Sequence, residues 1–382
     1  MPPALRVAPS LETKLRALGE SAAHDVSCAG GDASPLEGYI YPAALPSGRR
    51  VPMLKVLQQG GCERDCAYCA ERLGGERHGE LGFTPDELAR LLVDLHRRGQ
   101  VQGLFLSSGI RGGPVRSMDR MLATAEILRR QLGFRGYLHL KILPGCGADQ
   151  VEQAMRLATR VSVNLEAPTA ERLAQLAPTK ALHKQILAPM RQVALAEAEG
   201  RFRRGGQTTQ LVVGAGGETD REIGRAAAWL YRQLNLARVY YSGFRPVQGT
   251  PLSDRPAAPP LRQHRLYQLD FLLRSYGFDL EEIAFDASGQ LPLDVDPKTM
   301  AARLHPERFP LEVNAASLEE LLRVPGIGPT SGRRLLRLRR TGAIRSVEAL
   351  RACGAAWRNA APYLLLDGRR AAGDQLDLFA GR

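Results

Sequence analysis

From about Val51 to Gly243 short apolar runs alternate with longer amphipathic stretches. The apolar runs are LKVL (54–57), GLFLS (103–107), YLHLKIL (137–143), RVSVNLE (160–166), QLVVG (210–214) and RVYYSG (238–243). Each is short, nearly continuous in apolar residues and suited to a strand buried on both faces. Between them stand PDELARLLVDLHRRG, MDRMLATAEILRRQLG, ADQVEQAMRLAT, LHKQILAPMRQVALAEAEG and DREIGRAAAWLYRQLN, whose apolar positions recur with helical period. Strand–helix alternation of this kind predicts an α/β fold with a parallel sheet and helices outside it. Six units suit a partial (β/α)6 barrel, with ligands expected at the carboxyl ends of the strands.

The flanks read differently. Residues 1–48 form an amino-terminal extension, with one helical stretch near Leu11–Ala23 followed by the Gly/Ser/Pro-rich CAGGDASPLEG. The barrel is expected over 49–255. Residues 256–310 are a proline-bearing closing segment and linker with a helical patch, RLYQLDFLLRSYG. Residues 311–367 change to short, glycine-broken, arginine-rich helices, expected to form a small all-α domain. Residues 368–382 read as a flexible tail.

Composition narrows the class. The 382 residues are 44% hydrophobic and 24% charged, the balance of an ordinary globular protein. No apolar run is long enough to span a bilayer, and the start lacks a signal-peptide core, so a cytoplasmic protein with no membrane partner is expected. The net charge of +12 fits a polyanionic partner, although an arginine-rich composition can produce it without one.

The six cysteines are unevenly spread. Cys62, Cys66 and Cys69 crowd into QQGGCERDCAYCAERLGG just after the first barrel strand, whereas Cys28, Cys146 and Cys353 stand apart. A C-x3-C-x2-C loop can wrap three thiolates around a [4Fe–4S] cluster and leave one iron open. The competing reading is a structural zinc site. Zinc ordinarily takes four protein ligands, and no fourth Cys or His follows at the usual spacing; His78 is the nearest.

With Tyr68 before its last cysteine, the loop resembles the signature of the radical S-adenosylmethionine (SAM) superfamily. The resemblance implies a radical SAM barrel, with the amino and carboxylate groups of SAM on the open iron. Reductive cleavage of the sulfonium would then give a 5′-deoxyadenosyl radical. It also implies SAM contacts on successive strand ends. Tyr68 falls near the adenine. Ser107, Ser108 and Gly109 fall where the family binds the amino group, although SSG departs from the family's GGE-like motif. Asn164 and Glu166 fall at the ribose or carboxylate. Gly214 and Glu218, in VVGAGGETD, resemble the motif supporting the adenine, and SGFRPVQGTPL (242–252) resembles a further adenine-contacting segment. An electron donor such as flavodoxin or ferredoxin is implied as well.

LEELLRVPGIGPTSGRRLLRLRR (318–340) reads as helix, tight turn, helix. It resembles the helix-hairpin-helix motif, which grips a nucleic-acid backbone through N–H groups at a helix start. The residues implied are Gly326, Ile327, Gly328, Thr330, Ser331, Arg333 and Arg334, with Ile327 as the plug. A hairpin used only for protein contacts is the alternative. In the tail, Gln375, Leu376, Leu378 and Phe379 resemble a peptide that docks on the DNA sliding clamp; a final helical turn is the alternative.

Over most of its length the chain resembles a group of radical SAM proteins assigned to DNA modification or repair. They carry the same cluster loop and a carboxy-terminal helix-hairpin-helix domain. The supporting stretches include AHDVSCAGG (23–31), GLFLSSGI (103–110), YLHLKILPG (137–145), VYYSGFRPV (239–247), HRLYQLDFLLRSYGF (264–278) and LRVPGIG (322–328). This implies DNA as partner, with a uracil-DNA-glycosylase-like protein as a second. Cys28 and Cys146 are the candidate catalytic residues, with an inert buried thiol as the alternative for Cys28; Cys353 is expected in the hairpin core. Two alternatives to a DNA enzyme remain: a radical SAM enzyme modifying RNA bases, such as those of tRNA, and a non-enzymatic iron–sulfur scaffold recruiting a glycosylase.

Overall fold

The computed structural model describes residues 9–22, 38–44, 50–75, 81–202 and 205–370. The chain divides into two compact units, Met1–Glu218 with Trp229–Gln263, and Thr219–Ala228 with His264–Arg382.

The larger unit is built on a seven-stranded sheet in simple sequence order. Its strands are β1 (Ile40–Ala44), β2 (Arg50–Leu57), β3 (Gly103–Ser107), β4 (Tyr137–Lys141), β5 (Arg160–Ser162), β6 (Gln207–Val213) and β7 (Arg238–Gly243). Strands β2 to β7 are parallel, and β1 pairs antiparallel with β2, Ile40 opposite Leu54. β3 and β6 are buried along their whole length, as strands covered on both faces must be. The curled α/β sheet with its six parallel strands is the half-barrel that the alternation predicts.

Residues of the amino-terminal extension supply the edge strand β1 and helix α1 (Leu11–Ala22), which packs its Leu15, Leu18 and Ala22 inward. Gly19 lies so close to Tyr39 that a Cβ would stand 2.4 Å from the Tyr39 Cβ. Lys14 pairs with Glu87 at 2.9 Å in the first turn of α2 (Pro85–Arg97), where Thr84 and Glu87 form a capping box.

Two elements depart from the sequence pattern. β5 ends at Ser162, whereas the apolar run extends to residue 166. The Thr209 hydroxyl takes the Leu165 N–H at 2.9 Å and donates to the Val163 carbonyl at 2.7 Å, so a side chain replaces the strand ladder. Glu166, at φ 66°, rejoins β6: its N–H donates to the Gln210 carbonyl at 2.9 Å, and its carbonyl accepts the Val212 N–H at 2.8 Å. The helix expected from Leu182 opens as a π-turn (Leu182–Leu187) before α6 (Ala188–Ala198), because Pro189 has no N–H to give.

In the smaller unit, two short helices, Leu318–Arg323 and Pro329–Leu338, are joined by a turn. Val313, Leu321, Val324, Ile327, Leu335, Leu350, Cys353 and Leu364 form its core. The region is not all-α as expected. Leu364–Leu366 pairs parallel with Leu311–Glu312 and antiparallel with Arg369–Arg370, giving a small three-stranded sheet. The LLL run is too short for a helix, and Asp367, at φ 49°, and Gly368 turn the chain back immediately. The segment before it is packed on the hairpin. Glu282 accepts from Arg323 at 2.9 Å and Arg308 at 2.7 Å, and the Lys298 ammonium donates to the Ile327 carbonyl.

Candidate active site

The carboxyl ends of β2 to β6 surround a chamber of about 150 Å³. The cysteine loop follows β2, and Cys62, Cys66 and Cys69 all line the chamber. Tyr68, Ser107, Ser108, Gly109, Asn164 and Glu166 line it too, so residues up to a hundred positions apart meet at one site. Apolar walls come from Leu57, Ile110, Ile142 and Leu143.

The loop is held by its backbone and by its sulfur atoms. The N–H groups of Arg64 and Ile110 both point at Cys62 Sγ, each at 3.4 Å. Cys69 N–H closes a turn on the Cys66 carbonyl at 3.2 Å, and Ala67 N–H reaches the Leu176 carbonyl at 2.8 Å. The Gly109 N–H donates to the Gln59 carbonyl at 2.8 Å, pressing the end of β3 against the loop. Ser108 folds its hydroxyl onto the Gly109 carbonyl at 2.7 Å.

Electrostatics are concentrated opposite the loop. Lys180 and Glu166 form a buried ion pair at 3.1 Å, their side chains 8% and 5% exposed. Burial works against charge on Lys180, but Cys66 and Glu166 beside it more than compensate and hold it well above its usual range. Burial, followed by the neighbouring Cys66, pushes the Cys69 thiol up to about 12, and burial raises Cys62 as well.

These features fit an iron–sulfur cluster and its ligand. Among the described residues no three His, Cys, Asp or Glu side chains converge to hold a single metal ion. His78, the nearest candidate for a fourth zinc ligand, lies outside the described residues. A cubane needs no such convergence, since each thiolate binds a different iron. Asn164 Oδ1 and Glu166 Oε2 are buried without a partner, as acceptors awaiting a polar ligand would be.

Gly214 and Glu218 stand apart from the chamber lining. The Glu218 carboxylate caps the turn after β6, accepting the N–H groups of Gly214 and Gly216, the latter at 2.9 Å. Cys146 lies two residues beyond Pro144, the last wall residue of its loop, and burial raises its thiol to about 11. Cys28 and the tail residues Gln375, Leu376, Leu378 and Phe379 lie outside the described residues.

Sequence reasoning missed Arg64, Glu71, Lys141, Lys180, Gln210 and Ser21 in the chamber wall. Glu71 is buried; it accepts the Ser21 hydroxyl at 2.6 Å and the Gly61 N–H. A carboxylate two residues past the last cysteine was the signal available.

In the smaller unit the hairpin residues divide into two groups. Gly326 has φ 83°, and a Cβ there would stand 2.5 Å from the Ala356 carbonyl, so this turn requires glycine. Ile327 is buried in the core, and Ser331 is spent on the Gly328 N–H at 2.8 Å. Thr330, Arg333 and Arg334 are exposed.

Residues 56–230 match the family described as the Radical SAM superfamily. That stretch is a radical SAM domain, and the family uses a [4Fe–4S] cluster and SAM. The domain makes the chain an enzyme. Two biotin synthases are similar to it. That of Streptomyces avermitilis is 28% identical over 225 residues, covering 57% of this chain and 54% of its own. That of Leptospira biflexa is 29% identical over 108 residues, covering 28% and 30%. The chain thus spans about half or less of the relatives' length. Among solved structures, the FeFe-hydrogenase maturase HydG from Carboxydothermus hydrogenoformans aligns with TM-score 0.46 and 12% identity, over 58% of this chain and 51% of that one.

Proposed function

We propose that this enzyme performs SAM-dependent radical chemistry on a nucleotide of DNA, as base or nucleotide modification or repair. The observation that carries the reading is the pairing, in one chain, of a three-thiol chamber with an exposed cationic hairpin. In this reading Cys62, Cys66 and Cys69 hold the cluster, and Asn164 and Glu166 offer their unpartnered oxygens to SAM. When bound, the two cofactors supply one-electron cleavage of the sulfonium and a 5′-deoxyadenosyl radical. Lys180 balances the Glu166 charge, and the apolar wall excludes water from the reacting atoms. A flavodoxin or ferredoxin serves as electron donor.

The hairpin supports a nucleic-acid partner through charge and exposure. Residues 329–340, PTSGRRLLRLRR, contain five arginines and no acid. Thr330, Arg333 and Arg334 meet phosphates, while Gly326, Ile327, Gly328 and Ser331 set the turn that presents them. A base inside a duplex is shielded, so the substrate nucleotide is flipped out or single-stranded. A glycosylase-like partner and clamp docking through residues 375–379 complete the repair reading.

The similarity to two biotin synthases favours a second reading, a small-molecule substrate, in which the hairpin makes protein contacts. Deuterated DNA separates them. Transfer of deuterium from DNA into 5′-deoxyadenosine under anaerobic turnover supports the first. Turnover indifferent to DNA overturns it.

A further inference from the structure

The three residues between the first two cysteines all reach from the cluster loop to neighbouring segments. The Glu63 carboxylate accepts the N–H groups of Gly112 and Gly113, at the amino end of α3 (Pro114–Glu126). The Arg64 guanidinium donates to the Pro144 carbonyl at 3.2 Å, after β4, and to the Thr179 carbonyl at 2.9 Å, beyond α5 (Ala170–Leu176). Asp65 accepts the Thr179 hydroxyl at 2.7 Å and its N–H at 3.3 Å. The neighbours are shaped to receive them. Gly145, at φ 92°, leaves room for Arg64, whose Nη2 would stand 3.3 Å from a Cβ there. On the other side the Glu63 N–H bonds the Ile110 carbonyl at 2.8 Å.

We propose that Glu63, Arg64 and Asp65 are positioning residues that fix the cysteine loop on the loops after β3 and β4 and on the segment after α5 before any iron arrives. The proposal rests on the cluster assignment of Cys62, Cys66 and Cys69. Cluster assembly on a slack loop must order about ten residues when iron binds, and that cost is subtracted from affinity. Here the side chains order the loop in advance. Arg64 does a second thing: its guanidinium, held by two carbonyls, puts a fixed cation in the chamber wall. A fixed cation favours the reduced, more negative cluster.

The test uses the full-length protein without iron, in hydrogen exchange of residues 60–72, and then the reconstituted protein. E63A, R64Q, D65A and T179V should each speed exchange of that segment by roughly 2- to 10-fold, one lost hydrogen bond's worth. The double variant D65A/T179V should match D65A, because D65A already removes both the hydroxyl and the N–H contact of Thr179. R64Q should lower the cluster's reduction potential in an EPR-monitored titration, and all four should lose iron faster to a chelator. Unchanged exchange of 60–72 in every variant overturns the proposal. So does a D65A/T179V variant that exceeds D65A. Unaltered exchange in β3 and β6 verifies that each variant is folded. If E63A or R64Q fails that control, D65A and T179V, which alter only exposed contacts, decide. If the thiols hold no cluster at all, the cluster assignment fails, while the exchange result still decides whether these residues order the loop.

Discussion

Gly109 lies against Gly61 so closely that a Cβ on Gly109 would stand 2.0 Å from the Gly61 carbonyl oxygen. The end of β3 and the start of the cysteine loop therefore share a space that admits no side chain.

G109A should push the loop off β3. Overpacking of this kind costs about 1–3 kcal/mol. The expected result is a lower melting temperature and reduced iron per chain after anaerobic reconstitution. A variant with native iron content would show that the loop can yield at Gly61.

Glu71 joins helix α1 to the same loop through Ser21 and Gly61. E71A leaves the buried Gly61 N–H without its acceptor, which costs about 1–3 kcal/mol. Urea denaturation should register that loss, and S21A should reproduce only a smaller part of it. Equal losses would place the weight on Ser21 instead.

The smaller unit should be acid-sensitive through Glu282. Burial opposes the charge of this carboxylate, but hydrogen bonds from Arg323, the Asp279 N–H and Arg308 outweigh burial and hold it at about 2. Its folded pKa lies below the ordinary 4.5, so the stabilisation is fully present above that value. It is lost as pH falls from about 5 toward 2, and amounts to roughly 2 kcal/mol after screening. E282Q should flatten that part of the stability–pH curve. An unchanged acid limb would remove Glu282 from the account.

Much of this was legible in the sequence, for particular reasons. The half-barrel follows from strands so thoroughly buried that their apolar runs are unbroken, as in GLFLS and QLVVG. The three cysteines, Tyr68, SSG, Asn164 and Glu166 meet because each falls at or just beyond the carboxyl end of a strand. Lys180 and Ser21 were invisible because they reach the chamber from outside any strand end. The small sheet of the second unit was missed because its strands are two or three residues long and its parallel pair joins Leu311 to Leu364, a register that local periodicity does not carry. Glu218 accepts the N–H groups of Gly214 and Gly216, a local contact within the motif the sequence singles out.

If the hairpin grips a phosphate backbone, R333A and R334A should each weaken binding uniformly across DNA sequences. Each should also reduce the slope of log K against log salt by about 1. Titrations at several salt concentrations check this. Affinity and slope equal to the wild type would assign the arginines to another partner.

The central claim is that Cys62, Cys66 and Cys69 hold a [4Fe–4S] cluster whose open iron takes SAM. It is tested most directly by EPR of the anaerobically reconstituted, reduced protein with and without SAM, alongside release of 5′-deoxyadenosine. A [4Fe–4S] signal that SAM alters, with 5′-deoxyadenosine formed by the wild type and abolished in C62A, C66A and C69A, is the predicted result. A cluster signal indifferent to SAM, with no 5′-deoxyadenosine released, would contradict it.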